Sequence, residues 1–290
     1  MARSHAALTA TFIVAATDRI AKRHDLGGKC TLHENSALVK GRPSGGGIWN
    51  GGSGALTLRP GTDAEAIPPP RPCWENAMDR PETEVVIGSL GLKGNLAAPL
   101  EGFGLVLFAH GSGSSRLSPR NRFVAEGIRE AGLGTLLFDL LSDEEAADRR
   151  NVFDIALLAR RLAYAADWVR AEPSLRDRRI GFFGASTGAA AALVAETLSP
   201  HPVAAIVSRG GRPDLAGEAL TRVRAPTLLI VGGNDGPVID LNRRAFEALV
   251  CERELTIVPG AGHLFEEPGT LDEVVRLARD WFAPRLRWRA

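Results

Sequence analysis

The chain has 290 residues, a length that suits one large α/β domain with an appendage, and its 44% hydrophobic and 24% charged residues are typical of a globular protein. A formal net charge of +1 gives no electrostatic reason to expect binding to nucleic acid or to an anionic membrane surface, and we predict neither. No apolar run approaches the roughly 20 residues that span a bilayer, and the three cysteines match no zinc or redox motif. We therefore expect no metal, no cofactor and a cytoplasmic location. Secretion is the alternative, because Ala6–Ala16 weakly resembles a signal peptide.

The first 80 residues differ in composition from the rest of the chain. Arg42–Leu56 is rich in glycine, Pro68–Pro70 is a run of three prolines, and no helical or strand periodicity is sustained in this region. Such a segment buries too little apolar surface to offset the entropy of ordering it. We predict a low-order extension over residues 1–80 and a catalytic domain over residues 81–290, with a small accessory lobe as the alternative for the extension.

From residue 82 onward, short apolar runs alternate with helical stretches. The first two runs are separated by Gly88–Gly91 and fit a β-hairpin, and Gly104–Ala109 is continuously apolar, as in a buried parallel strand. The alternation predicts an α/β fold with about eight mainly parallel strands and helices on both faces of the sheet. The predicted strands are 84–87, 92–97, 104–109, 134–141, 179–185, 203–208, 226–231 and 254–258. The predicted helices are 119–131, 152–171, 187–198, 213–219, 237–250 and 271–286.

Arg179–Ala191 contains the motif Gly-Ala-Ser-Thr-Gly between a predicted strand and a predicted helix. A serine between two glycines at such a reversal is typical of a nucleophile elbow, in which a strained turn projects the serine hydroxyl from the sheet. Gly184 and Gly188 lack the Cβ atoms that would collide where strand and helix approach closely. We interpret Ser186 as the nucleophile; an incidental serine at a tight junction is the alternative.

A serine hydroxyl needs a base, and the base needs an acid that fixes its tautomer. Ligands of an open parallel sheet bind beyond the carboxyl ends of the strands, where His263 follows the last strand and Asp235 follows the strand before it. His263 is therefore the predicted base and Asp235 the predicted acid, with Asp240 in reserve. The alternatives are a surface-loop histidine and an aspartate that only caps a helix.

The residues around the two glycine-rich loops supply the remaining candidates. The backbone amides of Thr187 and Ser112, with Gly113 next, are the predicted donors to a tetrahedral oxyanion. His110 and Arg209 are candidate substrate-binding residues. Arg209 either clamps a substrate carboxylate or pairs structurally with Asp214 or another neighbouring acid.

Residues 82–290 resemble the α/β-hydrolase superfamily, and within it the dienelactone-hydrolase-like proteins. The order Ser186, Asp235, His263 is the serine, acid, histidine order of α/β-hydrolases. True dienelactone hydrolases have cysteine where this chain has Ser186, which favours ordinary ester hydrolysis. The connection between strands 203–208 and 226–231 is too short for a cap domain. Some members of one bacterial subgroup are fused to phosphoribosyltransferase domains, which residues 1–80 do not resemble. The segments that match the family are 108–113, 184–188, 231–235 and 259–263, and the segments that resemble the bacterial subgroup are 208–214 and 264–269.

The sequence and the resemblance together predict a serine hydrolase that cleaves carboxylic esters, either small acyl esters or lactones, through an acyl-enzyme. The expected partner is a small-molecule ester; the sequence does not specify an oligomeric state. Acyl transfer or amide and peptide cleavage on the same triad is one alternative. The other alternative is a catalytically silent hydrolase-like binding module. The chemistry of the site, and not the fold, decides among these functions.

Overall fold

The computed structural model describes residues 82–99 and 103–287, all within one compact unit, Ala66–Ala290. The predicted extension over residues 1–80 lies outside the described residues. Eight strands form one sheet in the order β1-β2-β4-β3-β5-β6-β7-β8. The strands are β1 Thr83–Ile87, β2 Leu92–Ala97, β3 Leu105–Ala109, β4 Gly134–Phe138, β5 Ile180–Ala185, β6 Ala205–Arg209, β7 Thr227–Gly232 and β8 Arg253–Val258.

Helices cover both faces of the sheet. They are α1 Pro119–Glu130, α2 Asp143–Ala147, α3 Arg149–Phe153, α4 Ile155–Ala171, α5 Thr187–Leu198, α6 Gly236–Ala248 and α7 Thr270–Leu286, together with a 3₁₀ helix at Pro213–Arg222. Residues of α4 and α5 pack in one hydrophobic cluster against the sheet, and residues of α1 and α7 pack in a second cluster. The predicted fold class is thereby confirmed, and the 3₁₀ helix is all that the chain inserts between β6 and β7.

The central strands are buried along their whole length and are mainly apolar, with Thr135, Ser208, Arg209 and Thr227 as the buried polar or charged exceptions. Every residue of β3, β4, β5, β6 and β7 is buried, as expected for parallel strands that are covered on both faces. The β1–β2 and β2–β4 pairs are antiparallel and the other pairs are parallel. The predicted hairpin is therefore present at the start of the sheet.

The strand register determines which side chains meet at the carboxyl edge. Ala109 of β3 pairs with Gly184 of β5, and Ala185 pairs with Arg209 of β6. The loop after β3 and the residue after β5 consequently emerge side by side, with Arg209 one strand away.

Three predicted elements differ from the structure by more than two residues or in their division, and one of them is the helix predicted over 213–219, which is a 3₁₀ helix that extends to Arg222. The single helix predicted over 152–171 is divided, because the Asp154 side chain accepts a hydrogen bond from the Leu157 amide at 2.9 Å and begins a new helix, α4. The strand predicted over 134–141 ends at Phe138, although Leu140 and Leu141 are buried beyond it. Among the described residues, no helix is both long and apolar enough to cross a membrane.

Candidate active site

Ser186 lies in a strained turn between β5 and α5. Its φ is 51° and its ψ is −121°, a conformation that costs a non-glycine residue on the order of 1–3 kcal/mol. Backbone hydrogen bonds to the segment after β6 hold the turn in place: the Ser186 amide donates to the Arg209 carbonyl at 3.3 Å, and the Arg212 amide donates to the Ser186 carbonyl at 3.0 Å. This is the backbone geometry that the predicted elbow requires.

Each of the two glycines of the elbow leaves room for the close approach of a different neighbouring segment. A Cβ on Gly184 would lie 2.4 Å from the Ala189 Cα of α5, whereas a Cβ on Gly188 would lie 2.1 Å from the Ala109 carbonyl oxygen of β3. Gly184 therefore permits the approach of β5 to α5. Gly188 permits the approach of α5 to the end of β3, where the next loop begins.

Asp235 and His263 are brought together by β7 and β8. Asp235 Oδ2 lies 2.7 Å from His263 Nδ1, and their side chains are 13% and 38% exposed. Asp235 immediately precedes α6, but its side chain makes no capping hydrogen bond there. Asp240, the reserve candidate, is instead exposed and pairs with Arg243 at 3.2 Å. Since a carboxylate accepts at Nδ1, that nitrogen carries the proton and Nε2 is left with its lone pair.

Ser186 and His263 line one cleft of about 260 Å³ at the carboxyl edge of the sheet. Over the described ranges, no hydrogen bond joins Ser186 Oγ to the His263 ring. Catalytic hydrogen bonds tighten in the complex with substrate, so the contact can form when a substrate binds. The cleft is lined by Gly111, Ser112, Ser114, Ser118, Arg120, Asn121, Ala185, Ser186, Arg209, Gly210, His263 and Leu264.

The segment after His263 is fixed by backbone interactions that the sequence did not reveal. The Gly262 amide is the main donor among the backbone N–H groups that hold the pKa of the exposed Glu267 carboxyl below its usual value. Phe265 is buried and has a φ of 56°, which is unusual for a bulky side chain. Both features restrict the loop that carries His263.

The three predicted oxyanion donors lie in different surroundings: at the start of a helix, in the cleft lining and in an exposed turn. Thr187 is the first residue of α5, where N–H groups have no intrahelical acceptor. Ser112 lines the cleft, but its amide donates to Thr187 Oγ1 at 3.0 Å. Gly113, with a φ of 70°, lies in the exposed corner of a turn that the Ser114 amide closes onto the Gly111 carbonyl at 3.2 Å.

His110 does not have the substrate-binding position that we predicted for it. The Leu140 amide donates to His110 Nε2 at 3.1 Å, so Nδ1 carries the proton and donates to the Gly111 carbonyl at 3.0 Å. Burial lowers the pKa of this histidine. Both ring nitrogens are thus used by the backbone, and His110 ties the end of β4 to the loop after β3.

Arg209 is a buried cation at the floor of the cleft. It is 5% exposed, and its guanidinium donates from Nη2 to Asn121 Oδ1 at 3.1 Å, while Nε is buried and has no hydrogen-bond partner among the described residues. Burial, and then the charge of Arg120, lowers the pKa of Arg209 to about 10. Asp214 pairs with Arg212, through hydrogen bonds of 2.9 and 2.8 Å. The structural alternative of an Arg209–Asp214 pair is therefore wrong.

A solved structure of a dienelactone hydrolase from Anabaena variabilis is 55% identical to this chain. The alignment covers 71% of this chain and 97% of that one, with a TM-score of 0.68. The chain belongs to the dienelactone-hydrolase-like family of α/β-hydrolases. An esterase from Pyrococcus furiosus shows the same fold at 16% identity and a TM-score of 0.56, covering 73% of this chain and 94% of its own. The chain matches no family model.

A relative of the family in Mycobacterium tuberculosis, provisionally named a phosphoribosyl transferase, is 54% identical over 224 residues. The match covers 77% of this chain but 49% of that protein. This chain therefore spans about half the length of the curated relative that it matches.

Two residues that line the cleft were not among the candidates from the sequence. They are Asn121, which is 2% exposed, and Arg120, which pairs across the rim with Glu266 at 2.9 Å. Asn121 falls on the same helical face as the buried Val124 and Ile128, so the 3.6-residue period could have identified it.

Larger cavities lie elsewhere on the molecule. Cavities of about 940 and 710 Å³ lie near Val203 and Pro226, at the amino ends of β6 and β7. Neither is lined by Ser186, Asp235 or His263. The smaller cleft is the candidate active site because of the side chains that it contains and not because of its size.

Proposed function

We propose that this chain is a serine hydrolase that cleaves carboxylic esters. The observation that carries the proposal is the 2.7 Å contact between Asp235 Oδ2 and His263 Nδ1, with His263 lining the same cleft as Ser186 on its strained elbow. A histidine oriented by a carboxylate can serve as a general base for a serine that is a weak nucleophile on its own.

The proposed reaction follows from the proton on His263 Nδ1, which leaves Nε2 able to accept another proton. His263 Nε2 takes the hydroxyl proton as Ser186 Oγ attacks the ester carbonyl, and the Asp235 carboxylate stabilises the imidazolium that forms. His263 then gives the proton to the leaving alcohol, and the acyl group remains on Ser186. Water, deprotonated by His263, attacks the acyl-enzyme, and His263 returns that proton to Ser186 Oγ as the bond to the acyl group breaks and the acid is released.

The developing oxyanion would lie at the amino end of α5. The Thr187 amide and the helix dipole both favour negative charge at that position. The Ser112 amide, on the facing loop, is the second donor of the proposal. Serine rather than cysteine as nucleophile favours ordinary esters over the substrate of true dienelactone hydrolases.

The polar floor of the cleft supports an acidic substrate. Arg209 has no carboxylate partner in the part of the chain described, and a guanidinium fork suits a carboxylate. A cleft of about 260 Å³ accommodates a small molecule. We therefore favour small acyl esters or lactones that carry a carboxylate.

Labelling with a fluorophosphonate tests the proposal most directly, because the probe reacts only with an activated serine. We expect wild-type protein to be labelled and to hydrolyse p-nitrophenyl acetate. Ser186→Ala should lose both properties while its unfolding temperature stays close to that of wild type. Ser199→Ala, which alters the serine at the far end of α5, is the matched control and should retain both. An unlabelled wild type would indicate a silent binding module, and full hydrolysis by Ser186→Ala would exclude Ser186 as nucleophile. Product partitioning with added alcohols or amines separates hydrolysis from acyl transfer.

A further inference from the structure

The side chain of Thr187 makes a contact that the proposed mechanism does not use. Its Oγ1 accepts a hydrogen bond from the Ser112 amide at 3.0 Å. Thr187 is 5% exposed, and no side-chain capping bond is made at the start of α5. The hydroxyl therefore joins the residue after the nucleophile to the loop after β3.

The backbones of this loop and of the elbow are in direct contact. A Cβ on Gly111 would lie 3.0 Å from the Ser186 Cβ, and a Cβ on Gly188 would lie 2.1 Å from the Ala109 carbonyl oxygen. Glycines on both sides thus permit the approach. The Ser112–Thr187 hydrogen bond adds a directional contact and determines where along the elbow the Ser112 amide is held.

If Oγ1 were absent, the Ser112 amide would lose the acceptor that it has here, and the loop would shift to give it another one. Oγ1 is a neutral acceptor, whereas the oxyanion of a tetrahedral intermediate is charged and accepts more strongly. The Ser112 hydrogen can therefore be held by Oγ1 in the resting site and be shared with the oxyanion once it forms.

We propose that the Thr187 hydroxyl is a positioning group that holds the Ser112 amide beside Ser186 for use by the oxyanion. The inference rests on the proposed serine-hydrolase function and deepens it. It assigns a role to the threonine side chain, separate from that of its backbone amide.

Two substitutions separate the hydroxyl from the shape of the side chain. Thr187→Val keeps the β-branched shape and removes the acceptor, whereas Thr187→Ser keeps the acceptor and removes the methyl group. We expect Thr187→Val to lower kcat by about tenfold or more with little change in KM, because it misplaces an oxyanion donor. Thr187→Ser should retain most of the wild-type kcat.

Affinity for an aryl trifluoromethyl ketone is the second measurement. A purely structural role of the Thr187 hydroxyl would leave this affinity unchanged. Ser186 Oγ adds to the ketone carbon, its proton passes to His263, and the carbonyl oxygen becomes the oxyanion of a tetrahedral adduct. We expect affinity for this ketone to fall in Thr187→Val by the same factor as kcat/KM, and to be near wild type in Thr187→Ser.

These experiments distinguish failure of the positioning role from failure of the proposed hydrolase function. Wild-type levels of kcat and ketone affinity in Thr187→Val would overturn the positioning role, and so would an increase in both, which would show that the hydroxyl competes with substrate. Equal losses in the valine and serine variants would also overturn it, since the acceptor would then not matter. Failure of wild type to react with a fluorophosphonate would instead remove the function on which the inference rests.

Discussion

Asp235 Oδ2 lies 2.7 Å from Nδ1 of His263, although 28 positions of sequence separate the two residues. Because β7 and β8 are adjacent and parallel, the residues that follow them meet at one edge of the sheet. The contact uses Nδ1, whereas Nε2 of His263, a residue that lines the cleft, makes no hydrogen bond within the described residues.

Asp235→Asn should lower kcat by about 10³–10⁴-fold with little effect on folding, because an amide in place of the carboxylate favours the wrong histidine tautomer. Asp240→Asn is the matched control, since Asp240 is exposed five positions away and pairs with Arg243. Steady-state hydrolysis of p-nitrophenyl acetate by both variants checks the prediction. Similar rates for the two variants would show that Asp235 does not orient the base.

Arg209→Met should raise KM for an ester that carries a carboxylate, such as an aryl hemisuccinate, by about 10-fold or more, and leave KM for the neutral acetate ester nearly unchanged. Arg209→Lys should recover part of the difference, because a point charge replaces the fork. Arg212→Met serves as control, since Arg212 pairs with Asp214 and does not line the cleft. Equal effects on acidic and neutral esters would argue against an anion subsite.

Because His110 is held in a buried environment, we predict that the folded protein loses stability in mild acid. Burial lowers the pKa of His110 in the folded protein, so the unfolded chain binds the proton more readily. The free energy of unfolding should therefore decrease as the pH falls below the unfolded pKa of about 6.5. We expect thermal unfolding between pH 8 and pH 5 to show a smaller decrease in His110→Gln than in wild type. His201→Gln controls for removal of an exposed histidine, and an unchanged slope in His110→Gln would contradict the prediction.

Gly188→Ala should destabilise the fold by about 1–3 kcal/mol or more, since the added Cβ would lie 2.1 Å from a backbone oxygen that cannot move aside easily. Gly236→Ala adds the same methyl group at the start of α6, where the new Cβ would meet no described atom within 4 Å beyond its neighbours in the chain and helix, and should stay within about 0.5 kcal/mol of wild type. Urea unfolding monitored by circular dichroism compares the two. A stable Gly188→Ala variant would mean that α5 can move away from β3.

The sequence was most informative where one physical requirement dominates. Continuous apolar runs identified the buried strands, and α5 was predicted with the bounds that it has, because the elbow and the small residues after it define a helix start. The division before α4 was missed because it depends on one capping contact of Asp154 within an otherwise helical pattern.

The long-range polar contacts could not be predicted from local pattern. Asn121 reaches Arg209 across 88 positions, and Ser112 reaches Thr187 across 75. The sequence suggested the types of residue at these places but not which atoms meet, since that depends on strand register and loop conformation. His110 shows the same limit: its position after β3 was predicted, but the Leu140 amide that occupies Nε2 was not.

The order of the strands along the chain has a consequence for synthesis. The elbow at Ser186 is complete after roughly two-thirds of the chain, but His263 follows β8, and α7 is formed by the last described residues. Domains fold as their segments leave the ribosome, so a nascent chain that already contains the elbow still lacks the base that would activate its serine. On the proposed mechanism, reactivity toward esters would therefore begin only after β8 has joined the sheet and the loop that carries His263 has formed.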